Sequence, residues 1–480
     1  MSRRNRRQFL QQAAVAGAGF AGFTFAIAGT KSTPRVLGAN DRIRVAVAGL
    51  HGRGSSHVNA FLGMAGVEVA YLVDPDVRQF APKVKQVRQK GGYEPKTVQD
   101  IRQVLDDPSV DVVSIATPNH WHSLMTVWAC QAGKDVYVEK PCSHNVWEGR
   151  QAVEAARRYR RIVQHGTQSR SERRWWQTIA HLHSGKYGKL LVAKAYCYKR
   201  RRSIGFRKPE PVPDWLDFNL WLGPAPQQPF HRNLVHYNWH WFWDTGNGDI
   251  GNQGVHQMDI ARWGIPGATL PRQVVSFGGR LGYRDQGQTP NTQVAIMDYD
   301  DGVRLVFEVR GLKSPRKITN EFYTTEGMIT AGRFLPKGAK KAEPLPPIDV
   351  SLGPGGGNHF ANFIEAVRSR NVQDLNADIE QGHLSSALCH LANISYRLGE
   401  RVPFVPRTKA FGQDKLAYEE LMSMEEHLAG ENGLKLQAET YTLGARLQVD
   451  AQRETITNRS DAAELLTRRY RKPFVVPERV

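Results

Sequence analysis

Short apolar runs recur along the first third of the chain, and each ends in glycine or polar residues. Segments with helical spacing separate them. The predicted strands are 43–49, 67–73, 111–116, 134–138 and 162–165. Helices are predicted after Gly54 through Met64 and at 77–90, 98–105, 123–132 and 147–159. Strands that alternate with helices indicate a parallel, doubly wound sheet with helices on both faces.

From residue 190 the apolar pattern changes to strict alternation, which is typical of half-buried strands. Asp300-Asp301-Gly302 between two of these runs predicts a hairpin. The predicted strands are 190–197, 273–278, 292–299, 303–309 and 318–324; helices are predicted at 358–370 and 378–399, and long loops at 207–229 and 336–357. This part therefore predicts a mainly antiparallel sheet with one face free.

A glycine-rich turn, GLHGRG at 49–54, follows the first predicted strand directly. A strand, a glycine turn and a helix in this order are the context of a dinucleotide site, because glycines let the backbone approach a pyrophosphate at the helix N-terminus. The spacing departs from G-x-G-x-x-G, since His51 stands at the middle glycine and Gly52 follows it. The turn predicts a nucleotide-binding Rossmann domain.

Asp74 ends the second predicted strand. A carboxylate there can accept the ribose hydroxyls and would repel a 2′-phosphate, which favours NAD over NADP. Arg78 lies one helical turn further and leaves NADP open. A purely local role for Asp74, capping backbone N–H groups, is the alternative.

Glu139-Lys140-Pro141 closes the strand at 134–138. Proline ends the hydrogen-bond ladder, which places Lys140 at the carboxyl edge of the sheet, where ligands of open α/β sheets bind. A lysine there can touch a substrate hydroxyl and a nicotinamide ring together. In isolation the tripeptide would favour a surface lysine that closes a strand, so the glycine turn upstream decides the interpretation.

Taken in order, five motifs resemble those of the Gfo/Idh/MocA (glucose–fructose oxidoreductase / inositol dehydrogenase) family. They are the turn at 49–54, Asp74, ATPNHWH at 116–122, EKP at 139–141, and a glycine-rich segment at 246–256 that ends in His256 and precedes Asp259. The closing residues 465–480 also resemble the tail of an exported bacterial branch of the family. The resemblance covers nearly all of the chain after residue 40.

The resemblance implies NAD, with NADP as the alternative, a carbohydrate or polyol substrate, and a homo-oligomer. The implied fold class is α/β, an N-terminal Rossmann doubly wound parallel sheet followed by an α+β domain with an open, mainly antiparallel sheet. The implied cofactor-binding residues are Gly49, His51, Gly52, Arg53, Gly54, Asp74, Thr117, Pro118, Asn119, His122, Glu139, Lys140 and Gln168.

The resemblance also assigns catalysis to Lys140 and His256. The family pattern has an aspartate four residues before this histidine, whereas this chain has Asn252. An asparagine can orient a hydroxyl but carries no charge that would raise the basicity of a histidine. Asp249 is the nearby carboxylate that could replace it, and we include both residues in the candidate catalytic set.

Residues 237–243, YNWHWFW, place aromatic side chains beside the glycine-rich segment. One interpretation is a platform that stacks on a sugar face, with Asn238, Trp239, His240 and Trp241 as substrate contacts. The other is that these rings belong to the core.

The N-terminus combines basic residues with an apolar stretch, Ala13–Ala28, and RRQFL at 6–10 has twin-arginine form. We expect a signal peptide over 1–32, export to the periplasm through the twin-arginine translocase, and, as the alternative, anchoring by an uncleaved leader. The mature chain is then expected to comprise a nucleotide domain at 41–168, a substrate domain at 169–405 and an extension at 406–480.

The formal net charge of +19 includes basic clusters at 170–174 and 199–202. No nucleic-acid motif accompanies them, so we expect a solvated basic face, in contact with acidic glycans or anionic lipid, and no nucleic-acid partner. The four cysteines have no paired spacing. Histidines 231, 236, 240 and 256 match no compact zinc motif, so no metal is expected.

Three function classes fit these residues. The first is an exported NAD(P)-dependent oxidoreductase that acts on a carbohydrate or cyclitol hydroxyl. The second is a redox-neutral glycoside hydrolase or lyase in which tightly bound NAD oxidises the sugar transiently. The third is a non-catalytic sugar-binding protein; Asn252 favours it, whereas the presence of both Lys140 and His256 argues against it.

Overall fold

The first domain is built on one parallel sheet of six strands, in a computed structural model that describes residues 42–480. The strands are β1 (Ile43–Ala48), β2 (Val67–Val73), β3 (Lys96–Val98), β4 (Val112–Ile115), β5 (Asp135–Val138) and β6 (Val163–His165). Their order across the sheet is β3-β2-β1-β4-β5-β6. β1 pairs with both β2 and β4, and its apolar run at 45–48 follows from burial on both faces of the sheet.

Five helices connect these strands: α1 (Gly52–Leu62), α2 (Phe80–Gly91), α3 (Arg102–Leu105), α4 (Asn119–Gln131) and α5 (Val146–Arg158). The predicted helix at 98–105 is wrong at its start, because Lys96–Val98 is strand β3 and the helix begins only at Arg102. The first residues of the predicted helix at 77–90 form a separate 3₁₀ turn, Val77–Gln79. The parallel doubly wound sheet is confirmed.

The second domain holds a larger, mixed sheet. Its strands are β7 (Leu190–Tyr198), β8 (Gln273–Gly279), β9 (Thr292–Asp298), β10 (Arg304–Arg310), β11 (Lys317–Thr324), β12 (Gly327–Thr330), β13 (Arg333–Pro336), β14 (Glu343–Pro344), β15 (Glu400–Pro403), β16 (Thr440–Leu443), β17 (Leu447–Asp450) and β18 (Thr455–Ile456). All neighbours pair antiparallel except β7 and β10, which run parallel. The predicted hairpin at 300–302 joins β9 to β10.

The described chain after β6 contains eight α-helices, and some of them cover the inner face of this sheet and part of its outer face. They are α6 (Arg173–His183), α7 (Phe218–Leu222), α8 (Gly248–Gly251), α9 (Gly254–Gly264), α10 (His359–Ser369), α11 (Ile379–Arg397), α12 (Lys415–Glu426) and α13 (Ala463–Leu466). Along α9 and α11 nearly all side chains are buried, because both helices lie between the sheet and the rest of the protein.

The expectation of a free sheet face is wrong for the part formed by β8, β9 and β10. Phe277, Ile296 and Val306 on this face are buried in one apolar cluster with Leu421 and Met424 of α12. The extension after residue 405 thus supplies the cover that an alternating strand pattern cannot reveal.

The chain returns to the first domain twice after leaving it. Phe363 and Val367 of α10 are buried against the β1–β2 side of the first sheet. The C-terminal tail places Phe474 and Val476 in the apolar cluster of α4, where the ring of Phe474 contacts that of Trp121 at a centroid distance of 5.4 Å. Segments far apart in sequence therefore complete the nucleotide domain.

No helix among residues 42–480 is both long and apolar enough to cross a membrane. The predicted twin-arginine leader, residues 1–32, lies outside the described residues. All four cysteines are buried and unpaired.

Candidate functional site

One cavity follows the carboxyl ends of five neighbouring strands of the parallel sheet and meets residues of the second domain on its other side. The first-domain lining comes from the ends of β1 to β5. Predicted site residues in the lining are Gly49, His51, Gly52, Arg53, Asp74, Thr117, Pro118, Asn119, His122, Glu139, Lys140, Trp239, His240 and Asn252. This edge of an open α/β sheet is where nucleotide ligands bind.

Each glycine of the turn at 49–54 is favoured for a different structural reason. Gly49 has φ +81°, and a Cβ there would lie 2.6 Å from the carbonyl oxygen of Ala116; a Cβ on Gly54 would lie 1.7 Å from the oxygen of Gly49. A Cβ on Gly52 would meet nothing within 4 Å, so this glycine leaves space at the helix N-terminus. The first turn of α1 has free backbone N–H groups that suit a pyrophosphate.

Asp74 has both roles that the sequence left open. Its carboxylate lines the cavity and also accepts hydrogen bonds from the backbone N–H groups of Leu50 (2.7 Å) and Asp76 (2.9 Å). Burial raises the pKa of Asp74 to about 6 in spite of these two donors. The carboxylate thus fixes the glycine turn and faces the ligand space.

Arg78, the residue that made NADP an alternative cofactor, binds other protein side chains. Its guanidinium donates to both carboxylate oxygens of Asp76 (2.9 and 2.7 Å) and stacks 3.3 Å from the ring centroid of Trp215. It is not among the residues that line the cavity. The contacts leave Arg78 poorly placed for a ribose phosphate.

Glu139 accepts hydrogen bonds from three side chains, two of which lie on α1. Its Oε1 accepts from Arg53 (2.8 Å), His57 (3.1 Å) and Gln168 (3.2 Å). Burial alone would raise the pKa of Glu139, but the hydrogen bond from His57 and the positive charge of Arg53 outweigh it and hold the pKa well below its usual range. Glu139 is therefore an ionised anchor that holds Arg53 in the cavity lining, whereas Gln168, which it also binds, lies outside that lining.

Lys140 and Asn252 join the two domains across the cavity. The Lys140 ammonium donates to the backbone oxygen of Asn252 (2.9 Å) and to its side-chain oxygen (3.1 Å). Burial lowers the pKa of Lys140, while the neighbouring Glu139 carboxylate opposes that change. The lysine is thus held at the junction where both domains meet the ligand space.

His256 lies one helical turn after Asn252, on α9. Burial and then the positive charge of Lys140 lower its pKa to about 3, so the imidazole is neutral at physiological pH. The lining of the cavity includes Asn252 but not His256. Asp249 is not available as a replacement base, because both of its oxygens accept from Arg201 (2.5 and 2.7 Å).

The aromatic run divides between two cavities. Trp239 and His240 line the nucleotide cavity and stack on each other at a centroid distance of 3.6 Å. Asn238 and Trp241 line a separate cleft on the far side of Tyr237. Trp239 and Trp241 are both mostly buried, so the core and the platform interpretations each describe part of the run.

The TPNHWH segment positions the start of α4. Asn119 donates to the side-chain oxygen of Asn247 (2.8 Å), and the ring nitrogens of His122 contact the backbone oxygens of Thr117 (2.8 Å) and Pro141 (2.6 Å). Within the described part of the chain the buried hydroxyl of Thr117 has no hydrogen-bond partner. It is the polar group in this lining that a ligand would satisfy.

Sequence reasoning missed two parts of the lining. Gln99, Asp100 and Ile101 follow β3, a strand too short to leave a periodic signal. His236 comes from the second domain, stacks on His51 at 5.0 Å and contacts Asp76 through its Nε2 (2.8 Å). No motif marks His236; an isolated histidine in a long loop gives no signal.

The expectation of a solvated basic face is wrong for Arg170 and Arg201. Arg170 is buried and its Nε contacts both oxygens of Asp259 (3.0 and 2.8 Å); Arg201 is held by Asp249. Such ion pairs between residues far apart in sequence are not visible in a local charge run. Among residues 42–480 no group of three or more histidine, cysteine or acidic side chains is arranged to hold a metal ion.

Two profiles of one protein family match the chain. Residues 43–167 match "Oxidoreductase family, NAD-binding Rossmann fold" and residues 201–427 match "Oxidoreductase family, C-terminal alpha/beta domain". Together they cover most of the chain. The first domain is thus an NAD-binding domain, in agreement with the glycine turn, Asp74 and the unpartnered Thr117 hydroxyl.

Curated relatives match over less than half of their length. A glycosyl hydrolase family 109 protein of Shewanella pealeana is 27% identical over 209 residues, which is 40% of this chain and 45% of the relative. The scyllo-inositol 2-dehydrogenase (NAD(+)) of Bacillus subtilis is 30% identical over 156 residues, or 32% of this chain and 44% of that enzyme.

Solved structures share the fold at low identity. The WlbA dehydrogenase of Bordetella pertussis, in complex with NADH and UDP-GlcNAcA, has a TM-score of 0.56 at 17% identity and covers 74% of this chain and 97% of its own. A levoglucosan dehydrogenase in complex with NADH has a TM-score of 0.55 at 16% identity, over 74% and 97% of the two chains. With both of its domains matched in order, this chain belongs to the Gfo/Idh/MocA oxidoreductase family.

Proposed function

We propose that this protein is an NAD-dependent oxidoreductase that acts on a hydroxyl of a carbohydrate or cyclitol. The observation that carries the proposal is the position of Lys140, at the carboxyl end of β5 inside the nucleotide cavity, with its ammonium bound to Asn252 of the second domain. A cation at this junction can reach a nicotinamide and a substrate hydroxyl together.

In this proposal the nucleotide lies along the strand ends. The N-terminus of α1 with Gly52 holds the pyrophosphate, Asp74 accepts from a ribose, and the Thr117 hydroxyl donates to the bound dinucleotide. NAD would supply the hydride acceptor or donor at its nicotinamide end. The engagement of Arg78 with Asp76 favours NAD over NADP.

The protein's own groups handle the proton. His256, neutral because its pKa is low, accepts the proton of the substrate hydroxyl at the imidazole, while the Lys140 ammonium orients that hydroxyl and stabilises developing negative charge on its oxygen. Asn252 positions the substrate and the lysine. It provides no carboxylate to raise the basicity of His256, which makes proton removal harder than in the family pattern.

A second candidate is a redox-neutral glycoside hydrolase or lyase that keeps its NAD through each cycle. Two observations favour it: Asn252 in place of the carboxylate, and the loop around Trp215 that crosses the nucleotide domain and is hydrogen-bonded to it at Val77 (3.0 Å). Several relatives are named glycosyl hydrolase family 109 proteins. Such a mechanism requires that NAD dissociate from the protein slowly, because the same NAD is used in every cycle.

The test begins with mass spectrometry of nucleotide released from the purified protein. Turnover of a panel of sugars, cyclitols and glycosides then follows by NADH absorbance and by product analysis. NADH formed with a free sugar or cyclitol supports the dehydrogenase; glycoside cleavage without net NADH supports the redox-neutral enzyme. A protein that binds NAD and sugars but converts none of the panel would instead be a sugar-binding protein.

We also propose export through the twin-arginine pathway, supported by RRQFL at 6–10 and the apolar stretch after it. Changing Arg6 and Arg7 to lysine should leave the protein in the cytoplasm, because the translocase receptor reads the guanidinium pair. Cell fractionation measures the outcome. Unchanged export of the double variant would leave a general secretory signal in its place.

A further inference from the structure

A second cavity, strongly basic, adjoins the nucleotide cavity. Five arginines line it together with Asn233, Asn238, Tyr237 and Trp241; they are Arg200, Arg201, Arg202, Arg207 and Arg232, and we call this cavity the arginine cleft. Tyr237 also lines the nucleotide cavity, and its side chain is half-exposed. One side chain therefore separates the two cavities.

Three of the five charges of the arginine cleft have no carboxylate partner among residues 42–480. Arg201 is compensated by Asp249, and Arg232 contacts Glu210 (2.5 Å) at the surface. The guanidinium groups of Arg200, Arg202 and Arg207 are exposed and have no partner among residues 42–480. Three uncompensated cations around one concavity repel each other and attract an anion.

The wall nearest the nucleotide cavity is fixed in orientation. Asp249 holds two nitrogens of Arg201, and a third nitrogen donates to the Tyr237 hydroxyl (3.1 Å). The guanidinium of Arg201 lies 5.1 Å from the ring centroid of Trp241. The cleft thus combines a rigid polar wall with arginines that are free to close on a ligand.

We propose that the arginine cleft binds an anionic substituent of the carbohydrate whose hydroxyl reacts in the nucleotide cavity. Carboxylates, sulfate esters and phosphate esters each carry at least two oxygens on one central atom, and the planar guanidinium of arginine binds such a pair with two parallel hydrogen bonds. The side-chain amides of Asn233 and Asn238 suit the hydroxyls of the same sugar. This inference rests on the proposed function, and it names the substrate class as acidic carbohydrates.

Continuity with the nucleotide cavity favours a sugar over other anionic partners. A nucleic acid or a lipid surface would need an extended basic face, whereas these arginines surround a concavity that shares Tyr237 with the candidate active site. Phe206, on the same loop, is 71% exposed, and its ring is the apolar side chain near the cleft that could insert into a lipid surface. Vesicles and DNA therefore belong in the experiment.

The experiment uses the NAD-loaded full chain and calorimetry with matched disaccharides that are neutral, carboxylated, sulfated or phosphorylated. The test variant is Arg202→Gln/Arg207→Gln, and the matched control is Arg158→Gln/Lys340→Gln, two exposed cations elsewhere on the surface. At least one anionic class should bind about tenfold or more tightly than its neutral counterpart, and the test variant should lose that preference. The control should keep it.

Comparison of the carboxylated, sulfated and phosphorylated disaccharides identifies which oxyanion the cleft binds. Added salt should weaken the binding of these anionic sugars but not that of the neutral sugar. Equal binding of neutral and anionic sugars, or unchanged binding by the test variant, would overturn the proposal. So would an arginine-dependent affinity confined to anionic phospholipid vesicles or to DNA. Oxidation of neutral sugars without any preference for anionic ones would refute only the proposed role of the arginine cleft. Absence of bound NAD together with absence of any sugar conversion would refute the proposed function.

Discussion

The nucleotide side of the cavity is assembled from the ends of β1 to β5 in one parallel sheet, whereas the substrate side, formed by the second domain, comes from the segment between β7 and α9. On the nucleotide side Glu139 accepts from Arg53, His57 and Gln168. Where the two sides meet, the Lys140 ammonium donates only to the two oxygens of Asn252 among the described residues. The nucleotide side is thus fixed by its own contacts, whereas the cation at the junction can also bind a ligand.

The two carboxylates whose charges act on Lys140 make the same contrast. Glu139 and Asp249 are both buried, and each is committed to an arginine. The position that faces Lys140 holds a neutral amide instead. Negative charge is therefore used here to fix the walls of the cavity, and none is left in the position where it could assist His256.

Substitution of Lys140 or His256 should have the largest effect, because it should lower turnover without weakening NAD binding. Lys140→Ala and His256→Ala should each lower turnover about 10²–10⁴-fold, the usual scale of general acid–base catalysis, while NAD remains bound. Turnover on the identified substrate and bound nucleotide are measured together, with Lys85→Ala on the exposed face of α2 as the control. If His256→Ala is as active as the unmodified protein, the catalytic assignment fails and a sugar-binding role gains support.

The nucleotide side is best tested at Asp74. Asp74→Ala should weaken NAD about 10–100-fold and NADP much less, because the lost hydrogen bonds are those to ribose hydroxyls. Calorimetry with both nucleotides measures the change, and Asp106→Ala, an exposed aspartate after α3, is the control. An unmodified protein that prefers NADP would contradict the assignment.

Asp74 should also make stability depend on pH. Its pKa in the folded protein is about 6, above the ordinary value of 3.8. A raised pKa means that the folded state holds the proton more tightly, so this stabilisation is complete below about pH 4 and is lost as the pH rises through about 6. Relative to Asp74→Asn, the free energy of unfolding should fall by about 2–3 kcal/mol across that interval.

Chemical denaturation of both proteins without nucleotide, from pH 4 to pH 7, measures this difference. Parallel curves for the two proteins would mean that the Asp74 carboxyl titrates normally in the fold.

The smallest effect is expected at the position where the substrate side departs from its family. Asn252→Asp should raise simple dehydrogenase turnover several-fold, up to about tenfold, because a carboxylate there would raise the basicity of His256. Steady-state rates on the same substrate measure it. Asn59→Asp, on the exposed face of α1, controls for added charge. Unchanged or lower turnover would show that the asparagine does not limit the reaction.

The parallel sheet, the glycine turn and Lys140 could be predicted because their signals are local: apolar runs, glycine spacing and a proline that ends a strand. β3 could not, since three residues carry no period, and the cavity residues that follow it were lost with it. His236 and the Asp249–Arg201 pair depend on contacts between segments far apart in sequence. The cover on the second sheet was missed for the same reason, because α12 lies more than a hundred residues after β10.

The returns of the chain to the first domain limit how the protein can move. α10 and the C-terminal tail, with Phe363 and Phe474, tie the two domains together in addition to the direct connection after β6. Rotation of the two domains apart about a single hinge would have to break both of these apolar contacts with the nucleotide domain. The two domains are therefore held as one unit around the cavity, and a ligand bound between them contacts walls whose relative rotation both apolar contacts oppose.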